Sequence, residues 1–273
     1  MEDRVAIGVA GGIADVKMIR ADKMNALDDR MFDALIEAGM TLATDASIRC
    51  AVLSGEGRAF CAGIDLGRLG ATAGKPASGE AINKPGYLLA PRTHGMTNRA
   101  QKAAWVWRDL PVPVIAAVHG VAFGGGFQIM LGADMRYVAP DTRLSVMEVK
   151  WGLVPDMAGT VLMRELARGD VIRELTYTGR IFSGTEALAY GFATRVCENP
   201  HAAAMETARE IAARSPSAIE AAKRIYNQTG ALNVADALLL ESVEQDAIKG
   251  GANQREAIAS QMEKRPARFV NAR

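Results

Sequence analysis

The stretch HGVAFGGGFQIM, residues 119–130, decides how the chain is read. It follows a continuous apolar run with β-branched residues, VPVIAAV, which has the character of a buried strand. Three glycines then lead into an apolar segment with helical character that extends to Leu131. Strand, tight turn and helix in this order imply an α/β fold. The turn has two readings. Glycine is the ordinary residue of a sharp strand-to-helix turn. It also leaves the peptide N–H open to close approach, at a helix start whose first N–H groups lack partners. An oxyanion would be stabilised there by donors already aimed during folding. Phosphate is the competing ligand, but no Lys-Ser or Lys-Thr follows and neither nucleotide fingerprint is matched.

Working outward, RVAIGVAGGIADVKMI (residues 4–19) has a Gly-Gly between two apolar runs and predicts a hairpin. Residues 28–44 carry Met31, Leu35 and Leu42 at helical spacing, and Ile48–Leu53 is β-rich. Residues 101–109 predict a helix and DMRYVAP a short strand. From His201 onward the chain is Ala-rich and helical, with breaks at Ser215-Pro216 and near Gly250-Gly251. Residues 67–100 show weak periodicity and read as a functional cover or mobile loop that selects the substrate's chain.

The 273 residues suit one α/β core with a helical appendage. A formal net charge of +1 gives no sign of a nucleic-acid or membrane binder. Three cysteines, Cys50, Cys61 and Cys197, lack metal-ligand spacing and read as reduced thiols. The N-terminus has no signal-peptide pattern, so a cytoplasmic location is expected.

A second loop, RAFCAGIDL (residues 58–66), also places a small residue, a glycine and an acid after a strand. Together, AFCAGIDL and HGVAFGGGFQ resemble the two oxyanion-hole loops of the crotonase family, also called the enoyl-CoA hydratase/isomerase family. DKMNALDDRM is similar to that family's coenzyme-A loop, and MEVKWGLVPDMAGT to its catalytic segment. TGRIFSGTEALAYGFATRV, RSPSAIEAAK and EKRPARF continue the likeness along nearly the whole chain.

The resemblance implies an α/β, crotonase-like spiral of ββα turns over residues 1–200. It implies a C-terminal helical region, 201–273, that builds trimers, often paired into hexamers. It implies an acyl-CoA thioester substrate, with coenzyme A as part of the substrate and no separate cofactor or metal. The N–H groups of Ile64 and Gly125 would hold the thioester oxygen of an enolate. Met24, Ala62, Gly63, Asp65 and Leu66 would contact substrate or coenzyme A. Arg20 and Lys23 flank that loop as candidate phosphate partners.

An enolate needs a base to form it and an acid to quench it. Family members that hydrate double bonds use two glutamates. Glu148 matches one; Gln128 stands where the other would be. An amide cannot shuttle a proton at neutral pH, though it can orient a water or a substrate oxygen. Asp156, eight residues after Glu148, matches the spacing of members that shift double bonds in dienoyl-CoA. The catalytic set is thus Glu148, Asp156 and Gln128, and the leading expectation is a double-bond isomerase. The alternatives are a hydratase using Glu148 alone and a non-catalytic acyl-CoA- or RNA-binding member of the fold. His119 is expected to be packed or hydrogen-bonded rather than a base, Cys61 to be packing, and Trp105 and Trp107 to shape the pocket or its roof.

Overall fold

The computed structural model describes residues 1, 3–67 and 89–273. Strands β1 (Val5–Ala10) and β2 (Ile13–Met18) form an antiparallel hairpin. Its turn, Gly11-Gly12, has φ of 58° and 77°, a conformation that favours glycine. Helix α1 (Asp29–Thr44) buries Met31, Leu35 and Leu42 as the sequence predicts; Asp28 caps it by accepting Met31 N at 2.8 Å. Strand β3 (Cys50–Gly55), helix α2 (Arg99–Asp109) and strand β4 (Val114–Val118) follow. Then come β5 (Val121–Phe123), α3 (Gly125–Leu131), β6 (Met135–Val138) and β7 (Arg143–Ser145). Helices α4 (Gly159–Arg164) and α5 (Gly169–Thr178) precede β8 (Phe182–Ser183), α6 (Gly184–Tyr190) and β9 (Arg195–Val196).

A six-stranded sheet runs β1-β2-β3-β4-β6-β9 and a three-stranded sheet β5-β7-β8. Along the chain, β4 then β5, and β6 then β7, give one strand to each sheet before the path turns back through helices. This is a spiral of ββα turns, as expected. The first turn joins through Cys61, bridged in parallel to Ala122 of β5. Side chains of the central strands alternate between two cores, as a strand's period of two requires. Ala51, Leu53, Val114 and Ala116 face the large core against α1, α2 and α3. Cys50, Val52, Ile115 and Ala117 face the other side, where Ala204, Ala208 and Ala212 cover them. Those alanines recur every fourth residue on one face of α7 (Pro200–Ala212).

Three more helices complete the chain: α8 (Pro216–Thr229), α9 (Val234–Ile248) and α10 (Ala252–Met262). The predicted breaks at Ser215-Pro216 and Gly250-Gly251 are present. A third, between Thr229 and Asn233, the sequence reading did not separate. Lys223 ties α8 to the sheet: its buried ammonium donates to Val112 O at 2.8 Å, Trp107 O at 3.2 Å and Asp134 Oδ2 at 2.8 Å. Helix α9 has no buried residue, and Val234, Leu238, Leu239 and Val243 lie exposed along it. Among the described residues, no helix is long and apolar enough to cross a membrane.

Candidate active site

A cavity of about 810 Å³ opens between the first and second turns of the spiral. Its wall joins Met24, Ala62, Gly63, Ile64, Asp65 and Leu66 to Gly124, Gly125, Glu148 and Asp156. The expected site residues thus converge, Gln128 excepted. Phe32, Trp151 and Leu153 also line it, which the sequence reading missed. Trp105 and Trp107, expected as pocket or roof, are not among the lining residues. Trp107 is buried in the core and donates to Ala103 O at 3.0 Å, an ordinary outcome for the apolar face of a helix. Of the expected cover, residues 68–88 lie outside the described residues.

The first loop is held by main-chain pairing. Leu27 N donates to Gly63 O at 2.8 Å and Asp65 N to Leu27 O at 3.1 Å. In such a parallel bridge the middle residue, Ile64, turns its own N–H away from Leu27. Among the described residues no main-chain carbonyl accepts from it. Gly63 has φ of 86°, and a Cβ there would stand 2.6 Å from Phe123 O, so the first loop sits hard against the second.

In the second loop, Gly124 N donates to Ser145 O at 3.0 Å and Gly124 O accepts Gln128 N at 3.0 Å. Gly125, at the first position of α3, has an N–H with no partner inside the helix. Each glycine of the trio answers a crowded spot. A Cβ on Gly125 would meet Leu27 Cδ1 at 2.7 Å, and one on Gly126 would meet Cys61 O at 2.4 Å. Phe127 anchors the helix by edge contacts with Phe182 and Phe192, their ring centres 5.7 and 5.3 Å away.

Asn25 is a fastening residue that the sequence reading missed. Wholly buried, it accepts Arg20 N at 2.9 Å and donates to Glu56 O and Ala59 O at 3.0 and 2.9 Å. Arg20 itself pairs with Asp65 at 2.7 Å and donates to Ala26 O at 2.9 Å. It braces the loop and does not line the cavity, whereas Lys23 does. Cys61 is buried with its thiol pushed up to about 12 by burial, in keeping with a packing role. His119 Nε2 lies 2.8 Å from Gly57 O, hydrogen-bonded as expected.

Glu148 begins a 3₁₀ turn, Glu148–Trp151, and is 8% exposed. Burial pushes its carboxyl above the ordinary carboxylate range, and the charge of Asp156 adds to this; hydrogen bonds, including that from Gln128, pull the other way. Oε1 accepts from Gln128 Nε2 at 2.6 Å, while Oε2 is buried without a partner. Gln128, an amide able to orient a water or a substrate oxygen, spends its oxygen on the main chain. Its Oε1 accepts both Met157 N at 2.8 Å and Gly159 N at 2.9 Å, and its amide nitrogen is committed to Glu148. It stands behind the cavity wall, 1% exposed.

The family profile described as enoyl-CoA hydratase/isomerase matches residues 8–272. The mitochondrial Delta(3,5)-Delta(2,4)-dienoyl-CoA isomerase of Mus musculus is 31% identical over 216 residues; the match spans 77% of this chain and 64% of that protein, less than two thirds of its length. Carnitinyl-CoA dehydratase of Salmonella typhi is 34% identical over 229 residues, 82% of this chain and 80% of that one. The crystal structure of an enoyl-CoA hydratase from Bacillus anthracis superposes with a TM-score of 0.85 at 25% identity, covering 99% of this chain and 100% of that one. With a profile match that runs almost end to end and a spiral shared with solved members, this chain belongs to the enoyl-CoA hydratase/isomerase, or crotonase, family.

Proposed function

We propose that the chain shifts a carbon–carbon double bond in an enoyl- or dienoyl-CoA, without adding water. The family acts on acyl-CoA thioesters. In this reading the N–H groups of Ile64 and Gly125 hold the thioester oxygen as negative charge grows on it. Ionised Glu148 removes a proton from the carbon next to the thioester carbonyl. Its raised pKa brings it nearer to the strength a general base needs at neutral pH. The double bond moves as the enolate collapses, and a proton returns to the far end of the conjugated system from Glu148 or Asp156. One proton leaves and one arrives, so no water is consumed. Met24, Ala62, Gly63, Asp65, Leu66 and Lys23 contact the substrate and its coenzyme A.

The observation that carries this reading is the state of Gln128. The slot beside Glu148 holds an amide already bonded at both ends, so a water there would meet one carboxylate instead of two. The likeness to the mouse dienoyl-CoA isomerase points the same way. A dehydratase or hydratase using Glu148 alone is the second reading, favoured by the likeness to carnitinyl-CoA dehydratase.

Incubation with 2-enoyl-, 3-enoyl- and 3,5-dienoyl-CoA, followed by absorbance, separates them. The expected result is a conjugated thioester appearing from the 3-enoyl or 3,5-dienoyl substrate. Fast loss of 2-enoyl conjugation with a 3-hydroxyacyl product and no isomerisation would replace the isomerase by the hydratase. Tight binding of all three with no turnover would leave a binding protein.

A further inference from the structure

We infer that Gln128 is a positioning residue that turns Glu148 into a one-oxygen proton carrier and, by the same amide, anchors the turn that bears Asp156. Helix α4 begins without a capping side chain. Its N-cap, Ala158, sits at φ of 66° and offers no side-chain acceptor. The first N–H groups of a helix need an acceptor from somewhere. Here it comes from across the site: Gln128 Oε1 takes Met157 N and Gly159 N, one on either side of Ala158. Two N–H donors on one oxygen fix which end of the amide is which. The NH₂ must then face Glu148, 2.6 Å from Oε1.

Glu148 Oε1 is therefore an acceptor at all times. It is boxed in on another side by Gly124, where a Cβ would stand 3.2 Å away. A proton taken up by Glu148 goes to Oε2, which has no partner, and leaves from Oε2. The same amide sets where Asp156 stands, because Met157 N and Gly159 N are the next groups along the chain. Gly159 completes the arrangement. A Cβ there would meet Gln128 Oε1, Cγ and Cδ at 2.5, 2.7 and 2.8 Å, so the glycine makes room for the clamp.

The groups facing Glu148 are few. Its own main-chain N–H favours the charged form, Gln128 reaches it from α3, the Gly124 main chain from the second loop, and Asp156 acts on it by charge from the turn. On its own 3₁₀ turn, Lys150 lies over the Trp151 ring, 5.7 Å from its centre. A donor hydrogen bond favours the ionised carboxylate, so removing it raises the pH at which Glu148 takes a proton.

The test uses two variants that disturb the clamp differently. Gln128→Glu keeps an acceptor for Met157 N and Gly159 N and, once ionised, sets a like charge where Glu148 had a donor. Gly159→Ala changes no polar group but pushes the amide aside. The first readout needs no substrate: pH-difference infrared spectra of the carboxyl band, assigned with Glu148→Gln. Both variants should move the titration of Glu148 upward by about one unit or more. An unmoved titration in both overturns the clamp. The second readout rests on the proposed double-bond shift. There the pH midpoint of kcat for isomerisation should move upward with the titration, lowering kcat below that midpoint, with KM within about threefold, and kcat should recover as pH rises. A uniform loss of kcat at every pH would overturn the positioning role. A shifted titration in a protein that turns over none of the three thioesters would retain the clamp and discard the isomerase.

Discussion

Glu148 is the residue on which the proposed chemistry turns. Glu148→Gln should lower turnover by about a hundred- to ten-thousand-fold, the range for a general acid–base group, while acyl-CoA affinity stays within a few-fold. Turnover near the wild-type rate would remove Glu148 from the mechanism. The direction of its pKa fixes two further outcomes. The base must be ionised, so kcat/KM should fall as pH drops through a value above the ordinary carboxylate range. Stability runs the opposite way: a carboxyl raised in the folded state holds its proton more tightly there than in the unfolded chain. Its contribution is full below the unfolded pKa of about 4.3 and is lost as pH rises through the folded value. Glu148→Gln should therefore raise the melting temperature at pH 7, with the gain vanishing near pH 4; equal melting temperatures at both would count against burial as the cause. The placement of Glu148 was legible because its neighbours, MEVKWGLVPD, form a contiguous motif. The fate of Gln128 was not. Its partners Met157 and Gly159 lie about thirty residues away and bond through main-chain N–H groups, which every residue but proline carries.

At the level of elements, the site depends on α3 meeting the loop that follows β3 with no room to spare. Gly126→Ala would drive a methyl to 2.4 Å from Cys61 O. Overpacking of this kind costs about 1–3 kcal/mol, read as a lowered midpoint in urea unfolding. A midpoint unchanged from wild type would mean that the loops can part. Helix α1 presents a separate case. Asp28 caps it and pairs with Arg4 at 2.7 Å, and although burial opposes it, these bonds hold the carboxyl below its usual range. Asp28→Ala should cost about 1–2 kcal/mol, the upper range for a lost cap. That difference is present above the ordinary carboxylate pKa and lost as pH falls through the lowered one. Helix α1 was readable because its apolar spacing is regular over four turns. The helix Gly159–Arg164 was not, since six residues are too few to display a period.

For the whole molecule, α9 is the outstanding feature: a helix of fifteen residues with none buried and Leu238, Leu239 and Val243 more than half exposed. An apolar helix face in water needs a partner. We propose that it is covered in a trimer or a dimer of trimers. Light scattering at micromolar concentration should give three or six chain masses, and Leu238→Asp with Leu239→Asp should reduce it. A single-chain mass for the wild type would sink the assembly. Composition and the Pro and Gly breaks made these helices readable; how they dock was not, because alanine marks a face without naming what lies against it. Cys61 and Ala122 are bridged neighbours, and Ile64 and Gly125 each lie three residues further on. Adjacent strands stand about 4.8 Å apart, whatever their side chains. The two N–H groups thus set out from one strand-to-strand contact, whose spacing is inherited from the repeat of the spiral as a mesh size is inherited from its weave. Substitutions can reshape the rest of the cavity for another acyl group while that spacing is carried over unchanged.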